Sequence, residues 1–210
     1  MRKQGVVRKA AATKSNSLHH GAVKVAGRAS TLKSLQPGKL HVTVARNSGA
    51  VKAGMGRNPD VLLRVITGQA PFSTINQLSP LQRSEIVEGG VPARLLTRLA
   101  TTLQVSQERL YSTIGVSRAT ANRAIKAECA LNAADSEHAM GLARLVGQVE
   151  QIVQESGDPE GFDAGKWVAD FLDSEQASLG GRRPAELMRN SDGRAVVATL
   201  VNQMQSGAYA

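Results

Sequence analysis

Apolar residues recur every three or four positions from residue 60 onward, which is the period of an amphipathic α-helix. The longest such run follows Ala133, stops at the Gly157-Asp158-Pro159 segment, and carries Met140, Leu142, Leu145, Val146, Val149, Ile152 and Val153. We find no two strand-like segments that are able to pair with each other. The spacing therefore predicts an all-α fold.

Shorter helices are predicted on both sides of this long one. Before it, the sequence predicts a helix between Asp60 and Gly68, a loop from Pro71 to Pro80, a helix between Leu81 and Gly89, and a helix from Pro92 to Leu103. After it come a helix with Phe162, Trp167, Val168, Phe171 and Leu172 on one side, a turn of helix at Pro184, and a last helix from about Gly193 to Met204. Aromatic residues make up 3% of the chain, so a core of Leu, Val, Ile and Ala is expected, which suits small helical packing.

Composition excludes several classes of protein. No apolar run approaches the roughly 18 residues that a membrane span needs, and the first residues lack the apolar core of a signal peptide. The single cysteine, Cys129, excludes an internal disulfide and a cysteine-cluster zinc site. No residues have the spacing of a catalytic or metal site. We therefore expect a cytoplasmic protein that is not an enzyme and holds no cofactor or metal.

Charge is distributed unevenly along the chain, whose net charge is +9. Residues 1–60 contain twelve Lys or Arg and one acid, residues 61–127 contain eight and three, and residues 128–210 contain six and thirteen. Two basic regions followed by an acidic one indicate different partners for different parts. Residues 1–59 lack apolar periodicity and are predicted to form a basic, disordered arm, although a transit peptide or a mistaken start site would look similar.

Residues 106–127, SQERLYSTIGVSRATANRAIKA, have the pattern of a helix-turn-helix. Ser106 and Ser117 stand where the two helices would begin, and Gly115 stands at the tight turn. The positions expected to face inward are all apolar: Leu110, Ile114, Val116, Ala121, Ala124 and Ile125. The segment is thus expected to be the DNA-binding part of the chain.

The second helix of this segment carries the candidate DNA-binding residues. They are Ser117, Arg118, Thr120, Asn122, Arg123 and Lys126. In a major groove, arginine would bind guanine, asparagine would bind adenine, and Lys126 would bind phosphate. The alternative is an ordinary amphipathic helix whose exposed face is basic for solubility.

The helix-turn-helix segment and the sequence that follows it resemble known families. The sequence SQERLYSTIGVSRAT resembles the Xre-type helix-turn-helix of bacterial and phage repressors, and it departs from that pattern at Tyr111, where a small residue is usual. From about Val91 to its end, the chain resembles the Xre/MbcA/ParS family of type II antitoxins. The second half of the match is carried, in order, by Trp167, Leu179, Gly180, Gly181, Pro184, Leu187, Gly193, Val197, Leu200 and Gly207. The first sixty residues are not covered.

The resemblance implies a function that spacing alone does not give. The protein would be an antitoxin, with no catalysis of its own, and its partner would be a RES-domain toxin that consumes NAD or transfers ADP-ribose from it. The C-terminal region would bind this toxin, with the extreme C-terminus covering the NAD pocket. The candidate toxin-binding residues are Trp167, Arg182, Arg183, Gln205, Ser206, Gly207, Ala208, Tyr209 and Ala210. Without the resemblance, Trp167 is a core residue, Arg182 and Arg183 are solvated, and the end of the chain is frayed.

We accordingly expect a basic arm over 1–59, a DNA-binding domain over 60–130 and a toxin-binding domain over 131–210. Operator double-stranded DNA is the second expected partner, bound to repress the toxin–antitoxin operon. Paired half-sites require a homodimer, with the long helix over 133–156 as the candidate interface. Two alternatives stay open: a stand-alone transcriptional regulator, and a nucleoid-type protein that binds any DNA through its basic arm.

Overall fold

Nine α-helices form most of the chain over residues 59–157 and 160–206, which are the residues that this computed structural model describes. They are α1 Pro59–Ile66, α2 Ser73–Asn76, α3 Pro80–Gly89, α4 Arg94–Thr102, α5 Gln107–Ile114, α6 Arg118–Lys126, α7 Ala133–Ser156, α8 Ala164–Asp173 and α9 Ser191–Ser206. Short 3₁₀ turns occupy Ala177–Leu179 and Pro184–Leu187. Two isolated β-bridges are the extent of strand pairing in these residues, so the prediction of an all-α fold is confirmed. The basic arm expected before Pro59, and residues 207–210, lie outside the described residues.

Side-chain caps determine where several helices begin. The Ser79 hydroxyl accepts a hydrogen bond from the Gln82 amide (3.2 Å), and the Gln82 side chain accepts one from the Ser79 amide (2.8 Å). This reciprocal pair satisfies two amides at the start of α3 that have no partner within the helix. Single hydrogen bonds cap three other helices: the side-chain oxygens of Ser106, Asn132 and Asp163 each accept one from the amide three residues on, at the start of α5, α7 and α8.

The segment between Pro71 and Pro80 is not all loop, as the sequence predicts, because it contains the four-residue helix α2. Phe72 and Ile75 are almost completely buried there, so the segment contributes to the core. The N-terminal amide of α2, at Ser73, donates to the Glu150 carboxylate of α7 over 2.8 Å. Burial raises the pKa of Glu150, and hydrogen bonds from the backbone of Ser73 and Phe72 act against this rise.

Three further predictions about helix positions are wrong in detail. Helix α4 begins at Arg94 and not at Pro92, because Pro92 forms a bridge with Ala130 and the Ala93 amide donates to the Cys129 carbonyl. Phe162 precedes α8 and is 41% exposed, so it does not join the buried side of that helix. Helix α9 begins at Ser191, two residues before Gly193.

Helix α7 lies at the centre of the fold. It packs against α2, α3, α4, α5, α8 and α9. The buried side chains of these helices belong to one hydrophobic core. The fully buried side chains on α7 include Ala139, Leu142, Ala143 and Val146. Burying a leucine-sized side chain contributes about 1.5–3 kcal/mol. The apolar stripe of α7 is therefore covered within one chain and does not support this helix as a dimer interface.

Helix α7 also contacts helices on both sides of residue 130. Ser136, completely buried near its start, accepts a hydrogen bond from the Val91 amide (2.9 Å) and donates one to the Leu131 carbonyl (3.3 Å). Its hydroxyl thus has partners although no water reaches it, which is the condition for burying a polar group. The division of the chain at residues 130 and 131 stays a prediction.

The closest approach between α7 and α2 depends on Gly147. A Cβ atom at this position would lie 2.5 Å from the Phe72 carbonyl oxygen and 2.8 Å from the Ser73 amide nitrogen. Replacing Gly147 with alanine should therefore lower the free energy of unfolding by about 1–3 kcal/mol, measured by urea denaturation. The overpacking must also outweigh the gain of up to about 1 kcal/mol that alanine brings to a helix interior.

Gly141→Ala is the matched control for this substitution on the same helix. A Cβ at Gly141 meets the Arg194 side chain, with Cδ and Nε both at 2.5 Å, and a side chain can move where a backbone cannot. We expect a smaller loss of stability for Gly141→Ala than for Gly147→Ala. If the two variants lose the same stability, the contact with the Phe72 backbone is not the cause of the loss in Gly147→Ala.

Candidate functional site

Helices α5 and α6 form the helix-turn-helix that the sequence predicts. The Ser106 hydroxyl accepts a hydrogen bond from the Arg109 amide (3.2 Å) at the start of α5. Gly115 ends α5 with a φ of +78°, a left-handed conformation that glycine adopts without steric cost. Ser117 occupies the N-cap position of α6, as the sequence predicts, in extended conformation, although its side chain makes no capping hydrogen bond.

The inward positions of this motif are buried as predicted. Leu110, Ile114, Val116, Ala121 and Ala124 are each at most 7% exposed, and Ile125 is partly buried against the same core. The candidate DNA-binding residues Ser117, Arg118, Asn122, Arg123 and Lys126 are exposed, whereas Thr120 is half-buried. Five of the six candidates therefore reach solvent on α6 or at its start, while the opposite side of the helix is packed.

The exposed cations of α6 differ in their partners. Arg118 forms an ion pair of 2.7 Å with Glu108 of α5, and both side chains are more than 60% exposed. Such exposed pairs contribute about 0–1 kcal/mol, so Arg118 can exchange Glu108 for another anion at little cost. Within the described residues, Arg123 and Lys126 have no carboxylate within 4.0 Å. Sequence reasoning missed Glu108, whose signal is an acid in the first turn of α5.

Tyr111 connects the buried side of the motif to its exposed face. Its ring is 2% exposed, and its hydroxyl lies 3.2 Å from Gln107 Oε1 and 3.3 Å from Asn122 Oδ1. Since both neighbours are acceptors, the phenol hydrogen can hold the Asn122 amide in one orientation. Burial raises the pKa of the Tyr111 phenol, and the positive charge of Arg118 acts in the opposite direction.

The candidate toxin-binding residues lie in three places. Trp167 of α8 is half-buried against the core and stacks on Phe171, with ring centroids 5.2 Å apart, as expected of a core residue. Arg182 pairs with Glu186 (3.3 Å) and Arg183 with Glu175 (3.9 Å), and all four side chains are exposed.

The remaining candidates belong to the end of the chain. Gln205 is an exposed residue of α9, and Ser206 is the last residue of that helix. Gly207, Ala208, Tyr209 and Ala210 lie outside the described residues. Arg182 and Arg183, which are neighbours in the sequence, lie just before the Pro184–Leu187 turn, whereas Gln205 and Ser206 lie at the end of α9.

A hydrogen bond lowers the pKa of Glu186. Its largest cause is the Arg183 amide, which donates to the Glu186 carboxylate over 3.3 Å, and the Arg182 side chain adds to it. The carboxylate therefore holds the loop before the Pro184–Leu187 turn as well as pairing with a cation. Arg182 and Arg183 are part of this local network and are not isolated charges.

Comparison with known proteins gives two family matches. The description "Antitoxin Xre-like helix-turn-helix domain" matches residues 82–144, and "Antitoxin Xre/MbcA/ParS C-terminal toxin-binding domain" matches residues 160–207. The Prs ADP-ribosylating antitoxin of Sphingobium sp. (strain YBL2) is 37% identical over 145 residues, which cover 68% of this chain and 91% of that protein. The chain belongs to the Xre/MbcA/ParS antitoxin family. The resemblance seen in the sequence is thereby confirmed.

The two matches cover different helices of the antitoxin. The helix-turn-helix match extends from α3 into the first half of α7, and the toxin-binding match covers α8, both 3₁₀ turns and α9. This protein is thus an antitoxin of a toxin–antitoxin system, with a helix-turn-helix domain and a toxin-binding domain. Trp167, Arg182, Arg183, Gln205, Ser206 and Gly207 all fall within the toxin-binding match.

The toxin-binding match of the antitoxin also contains exposed apolar residues that sequence reasoning did not select. Phe162, Val196 and Met204 are 41%, 47% and 39% exposed. Sequence periodicity treats such residues as core, and no signal in the sequence separates Val196 from its buried neighbour Val197. Single exposed apolar residues are common, and these three all fall within the toxin-binding match.

The described residues contain neither a cluster of metal-binding side chains nor a helix that could span a membrane. Over residues 59–157 and 160–206, no three His, Cys, Asp or Glu side chains come together in a group able to hold a metal ion. Among the helices in that part of the antitoxin, none is both long and apolar enough to cross a membrane.

The environment of Tyr111 generates a pH prediction. In a Tyr209→Phe variant, Tyr111 is the sole tyrosine, so phenolate absorbance reports on it alone. Because burial raises its pKa, we expect ionisation above the ordinary value of about 10. An acid whose pKa is raised by folding weakens the folded state once the pH exceeds its unfolded pKa, so stability should fall as pH rises above about 10.

Arg118→Ala is the matched variant for this titration. Loss of the nearby positive charge should raise the pKa of Tyr111 further, since that charge favours the phenolate. Circular dichroism over the same pH range separates ionisation of the folded protein from unfolding. Ionisation of folded Tyr111 at the ordinary pKa would contradict its burial.

Proposed function

We propose that this antitoxin neutralises a RES-domain toxin that degrades NAD or transfers ADP-ribose, and that it binds operator DNA to repress its own operon. The observation that carries the DNA half is the exposed basic face of α6, opposite a fully packed side. The toxin half rests on the toxin-binding match, which ends at residue 207, beside the tail Ala208-Tyr209-Ala210. Both activities are binding without catalysis, and an operator target places them in the bacterial cytoplasm.

For DNA binding, α6 has the length and chemistry to enter a major groove. Arg118 and Asn122 lie four residues apart and so occupy one side of the helix, where they can bind the edges of guanine and adenine. Arg123 and Lys126, which are exposed and have no carboxylate partner in the described residues, bind phosphate. Binding requires Arg118 to leave Glu108.

Paired half-sites are the usual target of such motifs, so the proposal includes a homodimer. The apolar stripe of α7 is covered by the chain's own helices, which leaves other surfaces of the described residues for the contact between two copies. Sequence-independent binding through the basic residues 1–60 is the alternative, and its affinity would fall steeply with salt for every DNA sequence.

For toxin neutralisation, the tail has suitable chemistry. Gly207 and the two alanines give a narrow, uncharged backbone that fits a cleft. Tyr209 offers an aromatic body with a hydroxyl, which suits a partly hydrated pocket. The name of the Sphingobium relative contains the words "ADP-ribosylating", which supports a partner of this chemistry.

The DNA half is tested by replacing Arg118 and Asn122 together with alanine. Loss of each bidentate contact should cost about 1–3 kcal/mol of operator affinity and relax base preference at the matching positions, while affinity for a scrambled duplex changes little. Gel-shift titrations at fixed salt measure both affinities. Unchanged operator affinity in a folded double variant would show that α6 does not read the operator.

The toxin half is tested by measuring NAD consumption by the RES-domain protein encoded beside this gene. We expect full-length antitoxin to inhibit, and a chain ending at Ser206 to bind the toxin without inhibiting it. A full-length Tyr209→Ala variant separates the aromatic ring from the length of the tail. If the truncated chain inhibits fully, the wider domain blocks the toxin and the tail does not. If neither chain binds, the antitoxin acts on a different toxin or as a stand-alone regulator.

A further inference from the structure

The toxin-binding domain places an arginine directly beside the turn of the helix-turn-helix. The Pro184–Leu187 turn packs against α5, and the next residue, Met188, is 1% exposed and anchors the chain there. Arg189 follows. A Cβ atom at Gly115 would lie 3.3 Å from Arg189 Cγ, 3.5 Å from its Cβ and 3.8 Å from its Cδ. The aliphatic stem of Arg189 therefore lies against the Gly115 backbone, at the turn that leads into α6.

Arg189 is an exposed cation, and its surroundings differ from those of the other arginines in the same domain. Arg182, Arg183 and Arg194 each pair with a carboxylate. Over the residues that the structure describes, Arg189 has no carboxylate within 4.0 Å and faces solvent. A guanidinium whose stem is held by packing loses little freedom when it binds an anion, and its planar donors match the oxygens of a phosphate.

The position of this cation relates it to α6. Gly115 precedes Ser117 and Arg118 by two and three residues, so Arg189 extends the exposed positive charge of Arg118, Arg123 and Lys126 across the turn. Arg109, in the first turn of α5, is paired with Asp173 of α8. Like Arg123 and Lys126, Arg189 therefore has no carboxylate within 4.0 Å among the described residues.

We propose that Arg189 binds a phosphate of the DNA backbone beside the bases that α6 reads, so that the toxin-binding domain forms part of the DNA-binding surface. This inference rests on the proposed operator binding. A phosphate contact holds the protein on the duplex and does not distinguish sequences. Arg189 therefore adds the same affinity for the operator and for an unrelated duplex.

The test compares Arg189→Gln with Arg189→Lys in the full-length protein. Glutamine keeps Cβ, Cγ and Cδ, which are the atoms that cover Gly115, and removes the charge, whereas lysine keeps the charge. For Arg189→Gln we expect about fivefold weaker binding to both duplexes near 0.15 M salt, and a plot of log affinity against log salt that is shallower by about 0.9. Arg189→Lys should retain most of the affinity and the slope.

Two controls separate this contact from a general charge effect. Lys166→Ala removes one exposed charge from α8 of the same domain and should leave affinity and slope unchanged. In the second control, single operator phosphates are replaced by uncharged methylphosphonates. At one backbone position this replacement should weaken DNA binding by the wild-type protein and should not weaken binding by Arg189→Gln any further.

The results distinguish this inference from the function on which it rests. Equal affinities and slopes for wild type and Arg189→Gln, or an equal loss in Lys166→Ala, overturn the role of Arg189 while operator binding stands. Absence of operator binding by the wild-type protein overturns both. Loss of affinity in Arg189→Lys equal to that in Arg189→Gln overturns a contact based on charge.

Discussion

The burial of α7 by six other helices is the constraint on which the rest of this structure depends. A helix covered on so many sides must offer apolar or small residues to each neighbour, and α7 does so with alanines, leucines, valines and two glycines. Two of its polar groups near the core have partners: Ser136 bonds to the backbone at Val91 and Leu131, and Glu150 accepts the first amide of α2. A third, the buried Nδ1 of His138, makes no hydrogen bond. Every other helix is positioned by its contact with this one or with a helix that touches it.

Because of this arrangement, the helix-turn-helix and the toxin-binding domain both pack on α7 and share one hydrophobic core. Helix α5 contacts α7 and the Pro184–Leu187 turn, and α7 in turn supports α8 and α9. The exposed face of α6 is consequently held by packing that belongs partly to the toxin-binding domain. A residue of one family match can therefore lie against the other, as Arg189 does against Gly115.

Much of the fold and part of the candidate site could be predicted from the sequence. The helix-turn-helix was identifiable because Ser106, Gly115 and the apolar inward positions have local reasons for their conformations, and these reasons act over a few residues. The short helix α2 was missed because its stability comes from burying Phe72 and Ile75 and from Glu150, which lies 77 residues from Ser73. The exposure of Phe162 and Val196 was also missed, because apolar periodicity does not tell which apolar side chains are buried against residues distant in the sequence.

The sequence by itself determined the all-α class, the helix-turn-helix and the family, because helix periods, caps and turn glycines depend on neighbouring residues. The tertiary structure alone decided which side chains meet across the chain: Glu108 with Arg118 over the turn, Tyr111 with Asn122 between helices, and Arg189 against Gly115 from the other domain. The last of these contacts joins residues 74 positions apart, and nothing in the local sequence of either residue requires it. Such contacts arise from packing around α7, and packing is a property of the whole chain.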